Sequence, residues 1–311
     1  MEITKKKKPF MTRLKKALPY YLLLAPGIIL LFLFNYMPIG GIIIAFKDFS
    51  PFKGVLGSPW AKMGGLYHFH YFLTNENFWR VMRNTIVINF YQLIFGFPFP
   101  IVFALLLNEI NSNGYKKVIQ TVSYLPHFLS WVVVASLVTN LLSPSEGMIN
   151  AILVHVFNME PIFFLTKPEY FRIIIVISAM WKSFGMDSIY YIASLSGIDQ
   201  SLYEAAAIDG AGRLKQTWHI TLPGLRNIIV VLLVLRMGNM ITIGFEQIFL
   251  LYNSMVYDVG DVISTYTYRL GIVNTQFSLT SAIGVTQSVV NFILVYSANL
   301  LSRKLAGWSL W

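Results

Sequence analysis

Hydrophobic residues in this chain come in long blocks separated by short polar stretches. Residues 20–46 run 27 positions, and residues 118–145 run 28, without Asp, Glu, Lys or Arg. A helix needs about 20 predominantly apolar residues to cross a bilayer. By that criterion six spans are predicted, near 20–46, 84–108, 118–142, 171–195, 227–250 and 280–302. The fold class is therefore all-α, a polytopic membrane protein with six transmembrane helices. It divides into a basic tail at 1–19, one six-span domain at 20–302 containing a loop at 196–227, and a tail at 303–311. The first block resembles a signal peptide at its start, but such a segment has an apolar core of about 7–15 residues and a small-residue cleavage site. Here the run passes Pro26 and Pro38 to Phe46 with no A-x-A site, so a retained first span is expected. Neighbouring helices can tolerate the kinks those prolines produce.

Composition agrees. Hydrophobic residues make up 56% of the chain and charged residues 12%, with a mean hydropathy of +0.60. Soluble domains carry about a quarter charged residues, so a water-soluble class is excluded. With no cysteine, disulfides, zinc–thiolate sites, iron–sulfur clusters and thiol catalysis are excluded too. The net charge is +10, and seven of the 24 basic residues lie within the first 16 positions. With that tail inside, the cytoplasmic pieces 1–19, 109–117, 196–227 and 303–311 hold 14 basic residues against 8 outside. That bias fits a plasma-membrane chain with both termini cytoplasmic. It leaves no basic patch for nucleic acid. The outer segments 47–83 and 143–170 are rich in aromatics and proline and are expected at the lipid headgroups.

The inside loop reads GIDQSLYEAAAIDGAGRLKQTWHITLPGLR over 197–226. Asp199 is a good N-cap for a short helix through Leu202, Tyr203, Glu204, Ala205, Ala206 and Ala207. Gly210 and Gly212 are placed to end it in left-handed conformation. A second piece, 213–220, leads to Pro223, which suits the first turn of span five. Such a helix, lying along the membrane and exposing Tyr203 and the alanines, is shaped for a groove on another protein. Glu204 and Asp209 would offer that partner carboxylates.

These residues match a family pattern: Glu204, Ala205, Ala206, Gly210, Ile220, Leu222 and Pro223 fill every fixed position of Glu-Ala-Ala, three residues, Gly, nine residues, Ile, one residue, Leu-Pro. The chain resembles, over essentially its whole length, the permease subunits of binding-protein-dependent (type I) ABC importers. Phrases at 181–199, 236–253 and 264–272 resemble the carbohydrate and oligosaccharide permeases among them. The resemblance implies the type I ABC importer permease fold, with 204–223 acting as a coupling helix held by a separate ATPase. It also implies a second homologous permease, two ATP-binding subunits inside and an extracellular solute-binding lipoprotein outside.

The chemistry in the chain itself is sparse. No lysine follows a glycine, so a P-loop is absent and ATP must be hydrolysed elsewhere. No Gly-x-Ser-x-Gly or His-Glu-x-x-His motif occurs, so no catalytic residue, metal or cofactor is assigned. His68 and His70 fit one face of a strand without a carboxylate pattern to support a metal site. Lys182 and Arg236 fall near the middle of spans four and five, where an ionisable group costs about 3 kcal/mol or more. They either pair, with Asp187 or a partner subunit, or line a substrate pathway. Trp181, Tyr190, Asn239, Glu246 and Gln247 are the other pathway candidates, since aromatics stack on sugar rings and amides bond hydroxyls. Trp131 and Tyr191 have the same capacity. Other readings are the same machine for a non-sugar solute, a self-contained secondary carrier or channel, and a membrane-embedded enzyme. The loop argues against a carrier, and the missing motifs against an enzyme.

Overall fold

The computed structural model of the chain describes residues 10–241 and 244–306. These residues form helices and connectors with one isolated antiparallel bridge, Lys47 with Trp60. Five helical stretches are long and apolar enough to cross a membrane: Lys16–Phe46, Glu76–Asn108, Pro168–Leu195, Arg213–Gly238 and Phe277–Lys304. A sixth is divided. The predicted span 118–142 is two helices, Asn113–Phe128 and Trp131–Leu141, meeting at 101°. Six crossings therefore require this bent pair to count as one broken span.

The chain forms two compact units. One holds residues up to His70 together with Phe277–Val285. Its long helix runs as Phe10–Leu31, widens to a π turn at Phe32–Tyr36 and tightens to 3-10 geometry over Met37–Phe46. Pro38 starts that last piece, where its missing N–H matters least. The stretch is exposed along nearly its whole length, as expected of a surface that meets lipid or another subunit. In the connector, Lys47 Nζ donates to the carbonyls of Val55 (2.8 Å) and Leu56 (3.2 Å) and lies 5.4 Å from the Trp60 ring centroid. Phe49 N donates to Ser278 Oγ (2.9 Å) at the start of the last helix. The His68–His70 strand expectation fails. Both lie on the helix Tyr67–Thr74, and His68 Nε2 is 3.0 Å from an Asp48 carboxylate oxygen.

The second unit is the larger. Span two starts at Glu76, eight residues before its predicted edge, because the Asn75 side chain accepts from Asn77 N (2.9 Å) and caps it. Span four, Pro168–Leu195, is central. Phe171 and Ile175 pack with Ile88, Ala135, Ile248, Leu251, Val256 and Val262, and Tyr191 and Leu195 pack with Ala104 and Leu225. At Gly185 a Cβ would overlap the Ser123 carbonyl, so the backbones of span four and Asn113–Phe128 touch there.

Both departures from the predicted spans are helix breaks with donors in place. Leu129 is extended, and Ser130 caps the next helix by accepting from Val133 N (3.4 Å). The carbonyls freed there are met by Lys182, whose Nζ donates to His127 O and Leu129 O at 2.7 Å each and lies 5.5 Å from the Trp131 ring centroid. Lys182 therefore pairs with a helix end, where both the macrodipole and the orphan carbonyls favour a cation. The predicted span 227–250 is likewise not continuous. Its helix begins at Arg213, stops at Gly238 and turns, and Phe245–Leu251 is a separate helix entered through Gly244 at φ +98°. Gln287 Nε2, on the last helix, donates to Ile241 O (3.4 Å) in that turn.

Two substitutions test this packing. Replacing Lys182 by Met strands two carbonyls and is expected to cost about 1–3 kcal/mol, read as a lower unfolding temperature in detergent, with Lys182→Arg nearer wild type. Gly185→Ala forces two helices apart at about 1–3 kcal/mol, and the same melting experiment reports it.

Candidate functional site

Two groups of residues stand out, at the two ends of the helical rod Arg213–Gly238. At its start lies the loop between spans four and five. Asp199 Oδ1 accepts from Ser201 N (3.0 Å) and caps the helix Gln200–Ile208. That backbone amide, with the Ser201 hydroxyl, holds the Asp199 carboxyl below the usual carboxylate range. The cap is thus charged at neutral pH and weakens only as acid titrates it. The far end is closed by Gly210 N donating to Ala207 O (3.1 Å) and Ala211 N to Ala206 O (2.8 Å), a Schellman cap. Gly210 takes φ +75°, a conformation that a side chain would strain. Gly212 departs from expectation. At φ −69°, ψ 166° it is extended and serves as the N-cap of Arg213–Gln216.

The rod widens to a π turn at Thr217–Thr221 just before Pro223. A wider turn accommodates the hydrogen bond that Pro223 cannot donate. Tyr203, expected to be exposed, turns inward instead: its hydroxyl lies 3.0 Å from Thr221 Oγ1, and Thr221 is buried. Further ties are Gln216 Nε2 to Ala211 O (3.0 Å) and Arg213 Nη1 to Glu109 Oε2 (3.1 Å). Ile198 presses so close to Gly224 that a Cβ there would come within 2.6 Å. The short helix is therefore fixed to the rod.

Glu204, Ala205, Asp209, Gly210 and Pro223 are exposed, with Ala206, Ile220 and Leu222 half-buried. Ile208 and Leu214 are each 87% exposed and Trp218 70%. Sequence reasoning passed over these three. The signal was present in Leu214 and Trp218, four residues apart and so on one helix face.

Near the rod's other end, Tyr190, Arg236 and Asn239 line one cavity of about 370 Å3 with Asp187, Tyr191 and Gly96. Arg236 makes one long hydrogen bond, 3.5 Å to Gln92 O. Asp187 accepts from Ser183 and senses the Arg236 charge, without a direct ion pair to it among the described residues. Donors, an acceptor and aromatic rings thus converge on one space, an arrangement suited to an oriented polar ligand. The remaining candidates lie elsewhere. Lys182 is held at the helix break, and Trp181 is exposed beside it in sequence. Gln247 is 1% exposed and commits its amide to Ile175 O (2.7 Å) and Ser178 Oγ (2.8 Å). Glu246 is exposed on the helix beyond the second break.

Known proteins show the same architecture. Residues 96–307 match the family described as binding-protein-dependent transport system inner membrane component. Protein LplB of Bacillus subtilis (strain 168) is 42% identical over 295 residues, covering 95% of this chain and 92% of the relative. The polygalacturonan/rhamnogalacturonan transport system permease protein YteP of the same organism is 43% identical, covering 96% and 92%. Among solved structures, a bacterial ABC transporter involved in the import of the acidic polysaccharide alginate has a chain 41% identical, with a TM-score of 0.87, covering 95% of this chain and 98% of that one. A bacterial alginate ABC transporter in complex with alginate pentasaccharide-bound periplasmic protein matches at 40% identity and a TM-score of 0.88, covering 97% and 99%. With a helical membrane fold, a rigid loop between its fourth and fifth spans and a match over most of its length, the chain belongs to the binding-protein-dependent transport system inner membrane components, as a permease and not an enzyme.

Proposed function

We propose that this chain forms the passage and carries the coupling loop of an ATP-driven importer for an oligosaccharide. Two observations support the substrate class. The cavity around Arg236 offers guanidinium and amide donors from Arg236 and Asn239, a carboxylate acceptor from Asp187, and the rings of Tyr190 and Tyr191. A sugar presents hydroxyls that need both donors and acceptors, and C–H faces that pack on rings. The similar proteins named for polygalacturonan, rhamnogalacturonan and alginate are likewise transporters of sugar polymers.

The observation that carries the coupling is the rod itself. From Thr221, bonded to Tyr203 of the loop helix, to Arg236 in the cavity is 15 residues, about 22 Å at helical rise. A displacement imposed on Gln200–Ile208 reaches the cavity through continuous helix. The partner that imposes it is one of a pair of ATP-hydrolysing subunits, seated on Glu204 and on the apolar side chains of Ile208, Leu214 and Trp218. A second, homologous permease completes the passage, and a solute-binding lipoprotein loads it from outside. Binding of nucleotide on one side and loaded receptor on the other biases a two-state rigid-body switch. The loop and both termini lie in the cytoplasm, as the distribution of basic residues favours.

Two experiments on the complete assembly test this reading. Charge reversal, Glu204→Lys, is expected to leave the chain inserted but to break the link between ATP hydrolysis and uptake. Normal uptake of labelled oligosaccharide by that variant would contradict the coupling role. Arg236→Ala removes a charged donor worth about 1.5–3 kcal/mol, so the substrate KM should rise at least about tenfold. An unchanged KM would take Arg236 out of the pathway.

A further inference from the structure

The end of the larger unit away from the coupling loop carries a second polar cleft. Along span four, Arg172 and Leu195 are separated by about 35 Å of helix, and Leu195 leads into the loop. At the Arg172 end, residues 258–261 are bound to the starts of spans two and four. Arg83 Nη2 and Asn84 Nδ2 donate to Asp258 O at 3.0 and 2.9 Å, and Arg172 Nε donates to Val259 O at 3.1 Å. A cleft of about 420 Å3 opens here among Glu76, Asn77, Trp79, Arg80, Arg83 and Asp258.

The side chains in the cleft are unequally committed. Arg83 is 3.6 Å from the Asp258 carboxylate. Trp79 Nε1 donates to Leu73 O (2.7 Å), which fixes the indole plane, yet the residue is 54% exposed. Arg80 has no carboxylate partner among the described residues, and its Nε is buried without any acceptor. That Nε faces protein, so the part of the guanidinium that can meet a ligand in the cleft is its terminal Nη pair, for which no hydrogen bond is found among the described residues. Anchoring at the lipid headgroups would account for an exposed tryptophan or arginine singly, whereas here both line one cleft with Glu76, Asn77, Arg83 and Asp258. A fixed aromatic plate beside an uncommitted guanidinium fork suits a sugar ring carrying a carboxylate, with C–H groups on the indole and the anion on the arginine.

We propose that Trp79 and Arg80 form an entry subsite for a carboxylated sugar residue, upstream of the Arg236 cavity on the same helical span. This rests on the reading that the chain imports an oligosaccharide with its coupling loop inside. From Arg80 to Gly96, which lines the inner cavity, is on the order of 20 Å along span two, so a chain of several sugar units would engage the two sites in succession.

The test is uptake by the whole assembly, with its receptor, in sealed proteoliposomes, using oligogalacturonate and its methyl ester as probes. Arg80→Gln and Trp79→Ala should each raise the KM for oligogalacturonate about tenfold, the loss of about one charge-assisted hydrogen bond or stacked ring, with the maximal rate within about twofold. The ester should be affected by Trp79→Ala far more than by Arg80→Gln, and Arg80→Lys should recover only part of the loss. Unchanged KM values, equal effects of Arg80→Gln on both probes, or a fall in maximal rate alone would overturn the subsite. So would failure of the wild type to import oligogalacturonate while it imports another sugar. Absence of ATP-dependent uptake of any sugar would instead overturn the importer reading.

Discussion

A helix interrupted inside an apolar layer leaves carbonyl groups that water cannot reach, and the rest of this structure depends on how those groups are met. At the break between Asn113–Phe128 and Trp131–Leu141, one lysine on span four supplies donors for two of them. That lets the chain turn by 101° where an unbroken helix would continue straight. It also explains how Lys182 is accommodated at bilayer depth, since the cost of burying the charge and the cost of breaking the helix offset each other. The second break, after Gly238, has a different consequence. By ending the helix there, it leaves Arg236 in a last turn and Asn239 just beyond it, both lining the cavity with Asp187 and Tyr190.

The loop depends on the opposite property, rigidity. A connector can transmit a displacement only if it does not deform first. Asp199 at one end, the Schellman cap at Gly210 at the other, and the Tyr203–Thr221 bond between them remove the freedom an ordinary surface loop would have. The outward face carries Glu204 and the exposed side chains of Ile208, Leu214 and Trp218. Aromatic and apolar anchors of this kind concentrate binding energy when a partner buries them.

Much of this was legible in the sequence because the signals were local. Uninterrupted apolar blocks marked the spans, Asp199 and Gly210 marked the ends of the loop helix, and the Glu-Ala-Ala pattern marked the family. What escaped depended on contacts distant in sequence. The acceptors of Lys182 are 53 and 55 residues away, and Gln247 is held by span four, 72 residues back. Hydropathy does not show the break after Gly238, because apolar residues continue on both sides of it; Gly238, Asn239 and Gly244 are the available hints. Tyr203 is not placed by the sequence, because an aromatic on a short helix fits either face until its hydroxyl finds Thr221. Of the two glycines, Gly210 alone takes the left-handed conformation, which leaves Gly212 free to cap the next helix.

In the proposed importer, nucleotide drives the movement of cargo through this chain by way of its loop. The most direct measurement reconstitutes the permease pair with receptor in sealed vesicles and follows labelled oligosaccharide with and without the ATPase subunits. Accumulation against a gradient only when the ATPases and ATP are present is the result expected. Comparable accumulation without them would make the chain a self-contained carrier, not an ATP-driven importer subunit.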